Sequence, residues 1–326
     1  MPAGEFALIA RYFASAACAA AGEELALGIG DDCAILSLAA EQQLAVSTDT
    51  LNQGVHFPAG ADPRLLAWRA LGCTLSDLAA MGAKPVGFTL ALSLPEADEA
   101  WLTAFAEGLN TAAQQYRVRL VGGDTTRGPL SLTLTVLGRV PSGMALKRSG
   151  AQVGDLLCVG GVLGQAAAAL PWVLGERLPE AAAEGLLHRY WQPAPQLALG
   201  RALRGRATSA IDISDGLLAD CGHLAKASNV LLEVDSARVP LDANAVALLG
   251  AEQAQACALR GGDDYRLAFT LPLRCLEGLQ AEGYAVSVIG RVRSKQVGGA
   301  LELLHNGRRE TVTQGGYQHF QEPTDG

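Results

Sequence analysis

Ser131-Leu-Thr-Leu-Thr-Val-Leu137 is the clearest strand in the chain: leucine and valine alternate with serine and threonine, and three of the seven residues are β-branched. Period-two alternation of this kind marks a strand with one apolar face. Working upstream, Val86–Leu94 has the same character, 97–115 has helical spacing, and Arg117–Val121 again reads as a strand. Residues 63–82 repeat apolar side chains at helical intervals (Leu65, Trp68, Leu71, Leu75, Leu78) and stop at Gly82 and Pro85. Residues 6–16 suit a helix, and 33–38 and 44–48 are short strand-type runs. Strands interleaved with helices make this an α/β chain.

Downstream, the pattern breaks around Pro141-Ser-Gly-Met and Arg148-Ser-Gly-Ala-Gln-Val-Gly154. A length of 326 residues exceeds one typical core. The reading is therefore two domains, 1–142 and 143–326. In the second, strands are expected at 155–160, 208–213, 230–234, 266–270 and 285–290. Helices are expected from about 161 to 204 and at 217–227, 243–259 and 273–282.

Apolar residues make up 49%, charged residues 18% and aromatics 5%, with a formal net charge of −8. Without a basic stripe, binding to nucleic acid through phosphate neutralisation is excluded. A phosphate-bearing ligand is not, because bound cations would invert the local charge. Seven cysteines form no Cys-x-x-Cys pair, which reads as thiols in a reducing compartment, and a cytoplasmic protein is expected. The N-terminus lacks the cationic start of a signal peptide, and no apolar run approaches the roughly 20 residues that span a bilayer.

Nine of the sixteen aspartates fall in six clusters beside glycine, serine or threonine. These are Gly28-Ile-Gly-Asp-Asp32, Ser47-Thr-Asp-Thr50, Leu75-Ser-Asp-Leu78, Gly122-Gly-Asp-Thr-Thr-Arg127, Ile211-Asp-Ile-Ser-Asp-Gly216 and Gly261-Gly-Asp-Asp-Tyr265. Asp77 lies inside a helix with no basic residue three or four positions away. Gly122 and Gly123 would let backbone amides approach an anion, with Asp124 on a cation and Arg127 on a phosphate. Ser214 or Asp215 suits a helix N-cap, whereas Asp212 between two isoleucines does not. Each cluster alone has an ordinary turn or cap explanation. Six together do not, because two carboxylates about 4 Å apart repel by ~4 kcal/mol at an effective dielectric near 20.

In order and spacing, the six motifs resemble the thiamine-monophosphate kinase family, from Gly4-Glu-Phe6 to Gly316-Tyr-Gln-His-Phe320. The wider superfamily includes aminoimidazole ribonucleotide synthetase, selenophosphate synthetase and a hydrogenase-maturation protein. The resemblance implies two mixed-sheet α/β (α+β) domains of the aminoimidazole ribonucleotide synthetase-like type sharing an ATP site. It also implies a homodimer joined through the N-terminal sheet, and transfer of the ATP γ-phosphoryl group to thiamine monophosphate. Carried over by position, it implies Mg2+ ligands (several ions) at Asp32, Ser47, Thr48, Asp49, Asp77, Asp124, Asp212 and Asp215. Nucleotide contacts would fall at Gly123, Asp124, Arg148 and Ser214, and substrate contacts at His56, Asp263 and Tyr317.

The chemistry agrees. A phosphate monoester has a second pKa near 6, so the acceptor is an anionic nucleophile at neutral pH and requires no general base. What opposes reaction is repulsion between phosphates, which divalent cations relieve. Two rival readings remain: an aminoimidazole ribonucleotide synthetase-like enzyme, and a non-catalytic divalent-metal-binding protein. The second lacks EF-hand spacing.

Overall fold

The computed structural model describes residues 8–20, 24–29, 34–295 and 300–312. Asp32 and Tyr317 lie outside the described residues, as do Asp31 and the terminal motifs. The chain divides into two compact units, Met1–Ala145 with Trp191–Arg201, and Leu146–Tyr190 with Ala202–Gly326. The return of Trp191–Arg201 to the first unit has no counterpart in the sequence reading.

The first unit begins with a helical turn at Ile9–Ala14 and a small hairpin of β1 (Leu25–Leu27) and β2 (Ile35–Leu36). There follow β3 (Gln42–Asn52), α1 (Pro63–Ala80), β4 (Lys84–Leu94), α2 (Glu99–Tyr116), β5 (Arg119–Arg127) and β6 (Ser131–Pro141). The sheet order is β3-β6-β4-β5, with β4 and β5 parallel and the other pairs antiparallel. As the alternation in β6 requires, Leu132, Leu134 and Val136 are fully buried on one face while Ser131, Thr133 and Thr135 lie half-buried on the other. β3 runs well past the short apolar segment at 44–48, because pairing with β6 extends it from Gln42 to Asn52.

Both helices start at an aspartate cap. Asp62 accepts from the Arg64 amide at 2.7 Å and is followed by Pro63, and Asp98 accepts from the Ala100 amide at 2.8 Å. α1 is buried around most of its circumference, since it packs on the sheet and on α2. Its side chains join Phe88, Phe105 and Leu109 in one core.

After Ala145 the chain forms β7 (Leu156–Gly160), α3 (Gln165–Val173) and α4 (Glu184–Trp191) of the second unit, then α5 (Leu197–Leu203), most of which lies in the segment that returns to the first unit, and then β8 (Ser209–Asp212), α6 (Leu217–Ser228) and β9 (Leu231–Asp235) of the second. Then come α7 (Ala243–Leu249), α8 (Ala251–Arg260), β10 (Leu267–Leu271), α9 (Leu276–Ala281), β11 (Val286–Arg293), β12 (Leu301–His305) and β13 (Arg308–Thr311). The sheet order is β13-β12-β9-β11-β7-β10-β8, with only β9 and β12 parallel. α6 buries Leu217, Leu218, Cys221 and Leu224 in the same core as Leu157, Val159, Ile211 and Val234.

Two expectations are corrected here. The single helix expected over 243–259 is two, broken at Gly250 with φ +83°. The hairpin β12–β13 was not foreseen, although Asn306 (φ +49°) and Gly307 (φ +77°) form the Asn-Gly turn that signals it. Among the described residues no helix is long and apolar enough to cross a membrane, and six free cysteines are present, five of them buried.

The α1–α2 contact yields a stability prediction. A mid-helix Gly→Ala change ordinarily favours folding by about 1 kcal/mol. At Gly108 in α2 a Cβ would lie 2.4 Å from the Arg64 carbonyl oxygen and 2.6 Å from its Cα. Gly108→Ala is therefore expected to lower the unfolding free energy by about 1–3 kcal/mol in a urea titration. Unchanged or increased stability would show that the two helices separate freely.

Candidate functional site: two acid clusters

In the first unit, strand alternation sorts the Ser47–Thr50 motif onto two faces. Ala45, Ser47, Asp49 and Leu51 lie on the less exposed face, and Val46, Thr48 and Thr50 on the exposed one. The Ser47 hydroxyl donates to the Asp77 carboxylate of α1. Asp77 is half-buried within the helix. Burial, reinforced by the charge of Asp77, pushes the Asp49 carboxyl up to about 6, against a hydrogen bond with Thr74. Ser47, Asp49 and Asp77 thus form one oxygen-only group. The hydroxyl of Thr48 faces the other way and bonds Thr135 at 2.9 Å, as Thr50 bonds Thr133 at 2.8 Å.

Asp124 is not in that group. β3 and β5 are opposite edges of the sheet, and the row Asp49–Leu134–Leu90–Gly123 crosses it. Three strand spacings amount to about 14 Å. Asp124 is exposed, and its carboxylate accepts from the Thr125 amide at 2.9 Å. The anion nest expected at Gly122-Gly123 is instead extended strand, paired to β4 across a bulge. Glycine is needed at 123 because a Cβ there would meet the Leu90 carbonyl oxygen at 2.0 Å. Just beyond it, a cavity of about 550 Å³ is lined by Leu94, Pro95, Thr125, Thr126 and Arg127. His56 sits in the turn after β3, where its Nδ1 accepts from the Asn52 amide at 2.9 Å.

The second unit brings Asp212, Ser214 and Asp215 together with the Gly261–Tyr265 loop. β8 ends at Asp212, which pairs with Leu267 of β10. The Asp263 amide donates to the Ser214 carbonyl at 2.9 Å, and the Tyr265 amide to the Ile213 carbonyl at 2.8 Å. Asp263 (φ +67°) and Tyr265 (φ +48°) are both left-handed, and the Tyr265 hydroxyl donates to Asp263 at 2.9 Å. Asp264 between them is buried, and both its oxygens accept from the Gly164 amide at 2.9 Å. Burial pushes its carboxyl up to about 7, opposed by the Gly164 bond and the charge of Arg266. The exposed Arg148 sits on a loop whose backbone is bonded to both ends of this layer. The Lys147 carbonyl accepts from Ala210 in β8, and the Arg148 carbonyl from Ser228 at 2.9 Å.

Neither Ser214 nor Asp215 caps α6: the N-cap is Gly216, without a side-chain bond. Asp220, which the motif reading passed over, binds the turn instead. Burial, and then the charges of Asp212 and Asp215, push its carboxyl up to about 8, against the backbone amides of Asp215 and Ser214. The available signal was an acid in the first turn of a helix, with apolar Leu217, Leu218, Cys221 and Leu224 around it.

Asp49 yields a pH prediction. Its folded value, about 6, lies above the ordinary 3.8 of an aspartate. The folded chain therefore holds an extra proton between about pH 4 and 6, and its metal-free stability falls as pH rises through that window. Asp49→Asn should melt above the parent in chelator at about pH 7.5, with the gap closing toward about pH 4. A gap independent of pH would mean that the substitution acts through packing, not charge.

Residues 30–140 match the family model "AIR synthase related protein, N-terminal domain". Thiamine-monophosphate kinase of Escherichia coli (strain K12) is 45% identical over 330 residues, covering 99% of this chain and 100% of that protein. That of Haemophilus influenzae is 39% identical over 328 residues, 99% of each. A crystal structure of thiamine-monophosphate kinase from Stenotrophomonas maltophilia K279a superposes with a TM-score of 0.81 at 45% identity, covering 86% of this chain and 91% of that one. A structure described as AaThiL complexed with AMPPCP and TMP gives a TM-score of 0.79 at 30% identity, covering 90% and 92%. Since 45% identity extends over 99% of this chain and 100% of the Escherichia coli protein, this chain belongs to the thiamine-monophosphate kinase family.

Proposed function

We propose that this chain transfers the γ-phosphoryl group of ATP to thiamine monophosphate in line, giving thiamine diphosphate and ADP. The observation that carries the reading is the gathering of acid motifs into two desolvated clusters, one in each unit, within a chain of this family.

The donor set fits a hard divalent cation. Ser47, Asp49 and Asp77 present only hydroxyl and carboxylate oxygens, the ligands of magnesium. Asp32, Asp124, Asp212 and Asp215 would add carboxylates for several Mg2+ ions, which when bound would neutralise and align the phosphates, whereas the Thr48 hydroxyl, bonded to Thr135, is turned to the other face of β3 and does not join them. Gly123, Asp124, Arg148 and Ser214 contact the nucleotide. Arg148, exposed on its loop, offers a guanidinium to phosphate oxygens.

His56, Asp263 and Tyr317 contact the thiamine monophosphate. Because His56 Nδ1 accepts a backbone hydrogen bond, the neutral ring carries its proton on Nε2. Its role is binding, and the acceptor phosphate, already anionic at neutral pH, attacks without a base.

The working form is a homodimer in a reducing, cytoplasmic setting. The open face of the four-stranded sheet carries Val46 (56% exposed) and Leu44 (45% exposed) beside its threonine pairs, and a second copy covers it.

Purified protein with ATP, Mg2+ and thiamine monophosphate is expected to form thiamine diphosphate. Turnover of a different acceptor with none of that product would end the reading. Asp49→Asn and Asp212→Asn should each lower kcat by about 10²-fold or more with an unchanged circular-dichroism spectrum. Near-parental rates in both would remove those carboxylates from the site. Val46→Glu should convert a dimer to a monomer in light scattering. A parent that is already monomeric would refute the sheet-face interface.

A further inference from the structure

The turn that carries Asp212, Ser214 and Asp215 is held by the side chain of Asp220. Asp220 lies one turn into α6 and is only 3% exposed. Its Oδ2 accepts from three successive amides: Ser214 at 3.1 Å, Asp215 at 3.1 Å and Gly216 at 3.2 Å. Three N–H bonds converging on one atom fix three peptide planes, and with them the directions in which Ser214 and Asp215 leave the backbone.

The opposite side of the turn is closed by main chain. The amides of Asp263 and Tyr265 bond the carbonyls of Ser214 and Ile213. A Cβ on Gly216 (φ +116°) would lie 2.8 Å from the Arg260 carbonyl oxygen, and one on Gly262 would lie 2.4 Å from that of Ser214. Asp220 and the 260–265 backbone therefore grip the turn from two sides.

We propose that Asp220 is a positioning residue for phosphoryl transfer, holding Ser214 and Asp215, and through the end of β8 Asp212, in the orientation that cation and nucleotide require. The proposal rests on the roles given above to those three residues. A competing role is direct ligation, since ligand atoms of Asp215, Asp220 and His223 lie within 4.8 Å of one another. Against it, Oδ2 of Asp220 is already occupied by three donors.

Conservative and truncating variants separate these roles. Asp220→Asn retains an acceptor oxygen for the amides; Asp220→Ala does not. Three readouts are needed: kcat with KM for thiamine monophosphate, Mn2+ affinity of the nucleotide-free protein by electron paramagnetic resonance, and hydrogen exchange of the 214–216 amides. In Asp220→Ala, kcat and Mn2+ affinity should each fall about 10–100-fold. KM for thiamine monophosphate should stay within about twofold of the parent, because a positioning role acts on the transition state and not on uniform binding. The three amides should exchange faster, and Asp220→Asn should recover most of both losses. If Asp220→Ala does not fold, Asp220→Ser, too short to reach the amides, replaces it.

Parental kcat and Mn2+ affinity in the truncated variant would overturn the proposal. So would an Asn variant as damaged as Ala, which would assign Asp220 to ligation. Asp212→Asn serves as the reference. If it abolishes turnover while Asp220→Ala does not, only the positioning role fails. If neither matters, the roles of the turn itself fail.

Discussion

Withdrawing a carboxylate from water costs several kcal/mol unless its charge is met by hydrogen bonds or an opposite charge. This chain does so repeatedly, at Asp49 in the first unit and at Asp220 and Asp264 in the second, and each is raised well above the ordinary carboxylate range. The surrounding architecture follows from how each charge is tolerated. In the first unit the answer is strand register, since β3 must pair along its whole length with β6 for Ser47 and Asp49 to reach α1 and Asp77. A slip of one residue would turn both to the open face and bring Thr48 and Thr50 inward. In the second unit the answer is main-chain amides, aimed at Asp220 from its own turn and at Asp264 from Gly164.

Those two solutions differ in what they leave over. Asp264 spends both oxygens on one amide, and its neighbours Asp263 and Tyr265 are held in left-handed conformations costing of order 1–3 kcal/mol each. That strain lifts Asp263 out of the strand direction with its carboxylate bonded to the Tyr265 hydroxyl. Asp49 is relieved by a hydrogen bond with the Thr74 side chain, and its neighbour Asp77 is another acid. The first arrangement fixes a loop, with Asp264 still raised to about 7 by its burial. The second leaves charge that the proposed Mg2+ would meet.

Much of this was legible in the sequence. Alternation at 131–137 placed β6, and leucine spacing placed α1, because a buried face writes its period directly into the chain. The acid motifs were legible as a set, and the structure joins Ser47 to Asp77 and the 212–215 turn to the 261–265 loop. What failed was the inference from glycine to loop at Gly122-Gly123. Glycine serves a turn and a close strand approach equally well, and only the pairing with β4 shows which. The separation of Asp49 from Asp124 by the width of a sheet was also invisible, since strand order is not a local property. Asp220 was missed for the converse reason: an acid in the first turn of a helix is so ordinary that its three amide partners leave no trace in spacing.

The same free energy governs stability and binding here. A carboxyl that is protonated in the folded chain and ionised in the unfolded one lowers stability as pH rises, and a cation that binds only the folded chain raises it again. An acid cluster relieved entirely by its own amides would fold more securely and have little left with which to attract a counter-ion. An acid cluster left wholly unrelieved would unfold the unit that carries it. Ser47, Thr74 and the backbone around Asp220 relieve part of the charge and leave the rest. Partial relief is what the proposed cation site would require, and it fits acids otherwise suited to a surface being set within β3, at the end of β8 and in the first turn of α6.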